Sequence, residues 1–415
     1  MKTEFRQFEG LANPVRIDAP DVVLPLMSPV FGGWPHPETK PAGTPFASLS
    51  PVGDGKAWRL AAPRAEKPEA YHKPVNAICD LIVEMSWERL RSRPDLLCLH
   101  AAAVAFQGRL VIFPNQRRAG KSLLTATLAR HGHAVFTDDF VPLAVDAETG
   151  VISGVANGIA PRLRLPLPDN LSPDHNDWIM RHITTQNRQY GYLTQIDLPQ
   201  SGSEMPVGAM VLLDRDMDLE GPPQLTPVAA DEALDAIVRQ NFGRQVHAGA
   251  ILAITKAIAT AGPVLRLTYR DLEPAAALLD QTPLLSDLPA VQIATSDQRP
   301  TRPAPLDKLR DRTTDVARLE HQFSRIAGYT EAETPEAIYL ASETGLAIHK
   351  LNPVSAMIWR LLETPLTGDV IVSVLGDVFP DVAQDVLRAD VSAALALFLR
   401  DGLLAQTGTD AGGPK

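Results

Sequence analysis

Cysteine is nearly absent from this chain: Cys79 and Cys98 are the only two among 415 residues. That scarcity excludes a disulfide framework, and their spacing is not that of a zinc site. No apolar run approaches the roughly 20 residues needed to span a bilayer. The opening residues Met1 to Arg6 lead into no hydrophobic signal region, so a cytoplasmic location is the default expectation. Surplus positive charge is missing as well. Lys and Arg number 39 against 49 Asp and Glu, a net charge of −10. That balance disfavours nonspecific binding to nucleic acid or to a membrane surface. No internal repeat is visible. What remains is a soluble globular composition, 45% hydrophobic and 21% charged, long enough for two or three domains.

The most informative stretch is Asn115, Gln116, Arg117, Arg118, Ala119, Gly120, Lys121 and Ser122. It follows the apolar run Leu110 to Phe113 and precedes the helix-like run Leu123 to Arg130, which stops near Gly132. Strand, loop, helix is the order of a phosphate-binding loop, with Asn115 standing where the pattern has its first glycine. Asn tolerates left-handed backbone better than most residues, so the loop survives the change. Successive backbone N–H groups and a helix N-terminus form an anion cradle. Lys121 is expected to reach the β/γ-phosphates of a nucleotide and Ser122 to hold Mg²⁺. The blander alternative is a chance Ala-Gly-Lys-Ser turn.

A second apolar strand, Ala134 to Thr137, ends in Asp138 and Asp139. A strand-end Asp beside a phosphate loop is the usual second metal-holding element of nucleotide hydrolases and transferases. Two adjacent carboxylates permit one base and one metal ligand, although Asp after a strand is also common in a solvated turn. His100 lies within the strand-like run Leu96 to Phe106. It reads either as an acid–base group or as a satisfied core histidine.

Along the chain, residues 1–73 are rich in Pro and Gly with short apolar pieces such as Val22 to Leu26, and read as short strands and loops. A helix is expected from Pro74 to Arg91. Strands are expected at 205–213 and 264–269, with helices at 231–240, 248–261 and 273–279. Together they imply an α/β nucleotide-binding domain over 74–285. The Pro-rich, charged stretch 286–315 has linker composition. A last domain, 316–408, shows two short strands, Ala337 to Leu340 and Leu346 to His349. A helix capped by Asn352 with Pro353 in first position follows, and then a helix from about Asp381 to Gly402. Strand hairpin plus helices resembles a winged helix.

The block Leu99 to Val104, Gly120-Lys121-Ser122 and Thr137 to Phe140 resembles HPr kinase/phosphorylase-like proteins, specifically the HprK-related P-loop kinases. The resemblance implies an α/β HPr-kinase-like fold that uses ATP and Mg²⁺. It implies that Asp138 is the general base toward a serine hydroxyl, that Asp139 and Ser122 hold Mg²⁺, and that His100 sits beside the transferred phosphoryl group. Ala160 to Leu165 lies where related proteins carry a basic substrate-facing segment. Arg162 and Arg164 alternate there and would share one face of a strand, either as a substrate contact or as an ordinary edge. Arg117 and Arg118 would either brace phosphate oxygens or be solvated.

Leu351 to Trp359, Val370-Ile371 and the final helix to Leu404 resemble PqqD-like domains, which recognise peptides in the biosynthesis of ribosomally made, modified peptides. The resemblance implies that a precursor's leader adds as a strand to the edge Leu346, Ala347, Ile348, His349 and Lys350, facing the helix that carries Val386 to Leu399. A nucleic-acid-reading winged helix is the alternative. Residues 327–415 carry five basic and twelve acidic residues, net −7, the wrong sign for one.

The combined expectation is an ATP-dependent kinase for a hydroxyl, serine foremost, of a precursor peptide. Two alternatives stand beside it. One is a kinase for a small molecule or carrier protein, and the other is a nucleotide-gated peptide chaperone without transfer. Self-association into a homo-oligomer stays open.

Overall fold

The computed structural model describes residues 2–41, 43–53, 55–64, 69–114, 119–241, 248–294, 317–342, 345 and 347–407. Two compact units emerge. The first comprises 1–243 with 257–292, and the second 244–256 with 293–415. The division falls inside the helix Ala248–Thr260.

In the first unit, residues before 74 form a sheet of six strands whose edge strands are Glu38–Thr39 and Glu69–Tyr71. The helices Pro20–Val30 and Pro74–Ser92 bury apolar residues in the same core. The first of these corrects the expectation of short strands around Val22. Val23, Met27 and Val30 recur at helical spacing and are buried, and Pro20 occupies an early helical position, where its missing N–H costs nothing. The core joins Phe8, Ile17, Met27, Trp34, Ile78, Leu81 and Met85 to Ile159 and Tyr192, which come from much later in the chain. Burying each large side chain contributes roughly 1.5–3 kcal/mol. The junction is sealed where two glycines meet: a Cβ on Gly158 would fall 2.5 Å from the Gly33 carbonyl carbon.

A larger mixed sheet lies at the centre of this unit. Strand Arg109–Pro114 runs parallel to Glu204–Arg215, which runs parallel to Val264–Tyr269. On its other side Arg109–Pro114 pairs antiparallel with Ala101–Phe106, and that strand pairs with Val135–Thr137. The central strands are near-continuous apolar runs because both faces are covered. Helices Lys121–Arg130 and Leu272–Gln281 bury Leu124, Leu128, Leu272 and Ala276 with Val111, Phe113, Val211 and Leu267. Of the stretch with linker composition, 286–294 is packed: Val291 is fully buried and exchanges backbone bonds with Val207 and Ile152. The remainder, to 315, lies outside the described residues.

The second unit holds two three-stranded sheets. Tyr329–Glu333, Ile338–Ser342 and Ile348–Lys350 form one antiparallel sheet, with Ile348–Lys350 on its edge. Helix Pro353–Leu361 starts where the sequence indicates, with the Asn352 side chain accepting from the Ser355 N–H at 2.8 Å. Helix Gly368–Val378 is an addition to the expected pattern, and Gln384–Arg400 is the long final helix. Trp359, Phe398, Phe323 and Leu395 fill the core. The fold class is the α/β one expected, with a second, smaller unit of short strands and helices.

Candidate functional site

Strand Arg109–Pro114 delivers the chain to the loop. Asn115, Gln116, Arg117 and Arg118 lie outside the described residues, so the description resumes at Ala119. Gly120 has φ +79°, a left-handed angle, and caps the helix Lys121–Arg130 without a side-chain bond. A Cβ there would also sit 2.9 Å from the Tyr269 hydroxyl, which donates to the Ala119 carbonyl. Glycine is therefore required twice over. The helix begins with no side-chain cap, the arrangement that suits an anion.

Lys121 opens that helix and is only 8% exposed. Its ammonium lies 3.5 Å from the Asp139 carbonyl oxygen. Burial lowers its pKa, against the opposing pull of Asp138 and Asp139.

The acidic pair hangs on the turn after Val135–Thr137. The Thr137 hydroxyl accepts from the N–H of Asp139 (3.2 Å) and of Phe140 (3.3 Å), and receives the Asn157 amide at 3.0 Å. One side chain thus shapes the turn and ties it to the 157–160 segment. The two carboxyls then face different surroundings. Asp138 is buried and accepts the Arg162 N–H at 3.3 Å, with Ser122 nearby favouring its ionised form. Burial, reinforced by the neighbouring Asp139 charge, pushes it up to about 6, with Lys121, Ser122 and Arg162 opposing. Asp139 is half-exposed and accepts from His100 at 3.0 Å. Chiefly that bond holds it below the ordinary range.

His100 is not inside a strand. It sits at the break between Leu97–Leu99, which pairs with Val141–Val145, and Ala101–Phe106, which pairs with Arg109–Pro114. Its backbone N–H bonds the Gln240 carbonyl at 2.7 Å, and its side chain is 38% exposed, so the core-histidine reading fails. The strand changes partners at this residue, and the ring is free of the pleat to reach Asp139.

Arg162 and Arg164 lie on the edge strand Arg162–Arg164. The Arg162 guanidinium stacks over Tyr190 at 4.8 Å and approaches Asp139 at 3.9 Å. Arg164 is exposed, and among the described residues no contact links it to the acids. Lys121, Ser122, Asp138, Asp139, His100 and Arg162 therefore converge.

Sequence reasoning missed Thr137, Asn157 and Tyr192, which lines the space beside Asp138 and Arg162. A threonine before two aspartates carries a weak turn signal. The other two carry none.

The donors near Lys121 are a serine hydroxyl and carboxylates, all hard oxygens, the chemistry Mg²⁺ prefers. Among the described residues no cluster of three or more His, Cys, Asp or Glu could hold a metal. Mg²⁺ needs none, since one or two carboxylates, water and substrate phosphates suffice.

In the second unit, Ile348–Lys350 has one strand neighbour among the described residues, Ile338–Ser342, so its outer side is an edge there. Leu346 lies outside the described residues, and Ala347 precedes the strand. His349 Nε2 lies 2.8 Å from Asp401, just past the final helix, and the Lys350 ammonium lies 5.4 Å from the Tyr339 ring centre. No described helix is long and apolar enough to cross a membrane.

Comparison with known proteins gives three findings. No curated protein sequence matches the chain. Among solved structures, the chain is similar to the Hpr(Ser) kinase/phosphatase from Coxiella burnetii, at 12% identity and a TM-score of 0.20, covering 44% of this chain and 91% of that one. Residues 336–404 match the family model of coenzyme PQQ synthesis protein D, PqqD, which places the C-terminal stretch among PqqD-like domains.

Proposed function

We propose that the chain is an ATP-dependent kinase that phosphorylates a hydroxyl, serine foremost, of a ribosomally made precursor peptide. The observation that carries this reading is the division of labour at 138–139. Asp138 is buried and raised toward neutrality, and Asp139 is kept ionised beside His100 and Lys121. A base that titrates near the working pH accepts a proton efficiently and is ionised when needed.

Asp138 takes the proton of the acceptor hydroxyl as the new O–P bond forms and the bond to the leaving diphosphate breaks. Lys121 and the uncapped start of its helix hold the phosphate chain. Arg162 presents its N–H to Asp138 and its guanidinium toward Asp139, fixing both carboxylates. Mg²⁺, held by Asp139 and Ser122, would supply charge neutralisation at the phosphates.

The C-terminal domain supplies substrate choice in this reading. The match to PqqD over 336–404 and the edge Ile348–Lys350 support strand addition by a leader peptide. Tethering raises the local acceptor concentration, so the transfer site can be permissive. The test is to incubate the chain with a candidate precursor, ATP and Mg²⁺, and to weigh the peptide. A gain of one phosphoryl group that disappears in Lys121→Ala supports the proposal. Nucleotide binding with no transfer to any peptide defeats it.

A further inference from the structure

One cleft of the first unit opens beside the acidic pair. It is open to solvent, with a cavity volume of about 90 Å³. Asp138 and Arg162 stand at its polar end. Its walls are apolar: Ile82, Val83 and Trp87 from helix Pro74–Ser92, with Phe140 and Ile159 from the segments that frame the acids. Val83 is 44% exposed, an apolar side chain that the protein leaves facing the opening.

Two observations give the cleft chemical content. Asp138, the base of the proposed transfer, lines it, so an acceptor hydroxyl arriving at Asp138 carries its neighbouring atoms into the apolar part. The second is Ser86. It is 8% exposed, it lines the cleft, and its buried hydroxyl has no hydrogen-bond partner among the described residues, so it can turn toward an arriving polar group. A helical serine ordinarily satisfies itself on the carbonyl one turn back or in water, and a buried hydroxyl left unpaired carries its full desolvation penalty. The other polar groups of the wall are already paired, Asn157 with Thr137 and Tyr192 with Cys79, so the orphan hydroxyl suits a ligand with one polar group among apolar ones. A peptide segment has that composition, with an amide between apolar side chains.

We propose that this cleft is the acceptor subsite and takes an apolar side chain carried next to the phosphorylated hydroxyl, with Ser86 bonding an adjacent main-chain amide. The proposal rests on the kinase reading and sharpens it, because it states which acceptors are chosen. Acidic neighbours meet only Arg162 among apolar walls, and basic ones would compete for the carboxylates that serve transfer.

The test uses the full chain, ATP, Mg²⁺ and a library of short peptides, each with a single serine and randomised flanks. Phosphorylated members are sequenced. Leu, Ile, Val, Met or Phe should be enriched beside the serine by about tenfold, the discrimination an apolar pocket supplies. Val83→Glu, a substitution at an exposed helical position, should abolish that preference. Ser86→Ala should raise KM for the best peptide several-fold, with the Kd for ATP unchanged in both variants. Thermal unfolding checks that both stay folded. Transfer without flank preference, or a charged preference, overturns the cleft assignment and leaves the kinase reading standing. A weakened ATP Kd in Val83→Glu with peptide choice intact gives the cleft to the nucleoside and also overturns it. Absence of transfer to every member defeats the kinase reading itself, and this assignment with it.

Discussion

His100 Nε2 lies 3.0 Å from Asp139 Oδ1, a bond between residues 39 positions apart that joins a break in one strand to the turn after another. It is the largest cause of the low pKa of Asp139. Removing it in His100→Ala should slow phosphoryl transfer by about 10²-fold, the scale of a lost acid–base partner. The Kd for ATP should change far less. Single-turnover transfer and calorimetric binding measured side by side check this, and equal losses in both would contradict it.

Asp138→Asn should abolish transfer and retain nucleotide binding. In the parent enzyme the rate should rise with pH through about 6, as the carboxyl ionises and becomes able to accept a proton. A pH–rate profile flat across that range would argue against Asp138 as the base.

The same buried carboxyl affects stability with the opposite sign to an ordinary salt-bridged acid. Its folded pKa is raised, so the unfolded chain ionises first. Stability is then lost as pH climbs from about 4 to about 6. The loss is on the order of 3 kcal/mol. Asp138→Asn should therefore unfold at a higher temperature than the parent protein at pH 8, with the gap narrowing toward pH 4. Calorimetric scans at the two pH values, without nucleotide, decide it.

Gly120→Ala places a methyl group 2.9 Å from the Tyr269 hydroxyl at a φ of +79°. It should cost roughly 1–3 kcal/mol of stability and weaken ATP binding, since the start of the Lys121 helix must shift. Gly43→Ala makes a useful comparison. It shares a positive φ but has nothing within 4 Å, so it should strain the backbone and leave ATP affinity intact.

If a leader peptide docks along Ile348–Lys350, the isolated leader added in trans should compete with the full precursor and raise its apparent KM. Transfer to a leaderless peptide should be unaffected. Equal inhibition of both would place the leader at the transfer site instead.

Local features were the legible ones. The strand before the loop, the Lys121 helix, the strand ending at Asp138 and the Asn352 cap each depend on a few neighbouring residues, and each stands close to where the sequence indicates. Val22 to Leu26 misled because its apolar run fits either period, and only packing against Ile78 and Met85 settles it as helix. Only the placement of His100 inside a strand misled, because a break in pairing has no signature in the residue itself. Ser86 and Tyr192 could not be found at all, since each gains meaning only from residues far away in the chain.

The sequence by itself determined which chemical groups are present: a lysine at the head of a helix, two adjacent carboxylates, a histidine and a weakly charged apolar composition. Tertiary structure decided how they differ. Asp138 and Asp139 are identical side chains one residue apart. One is buried under the 157–162 segment and raised, while the other meets His100 and is lowered. Burial and partner come from strands distant in the chain, and desolvation with charge proximity, not residue type, sets where a carboxyl titrates.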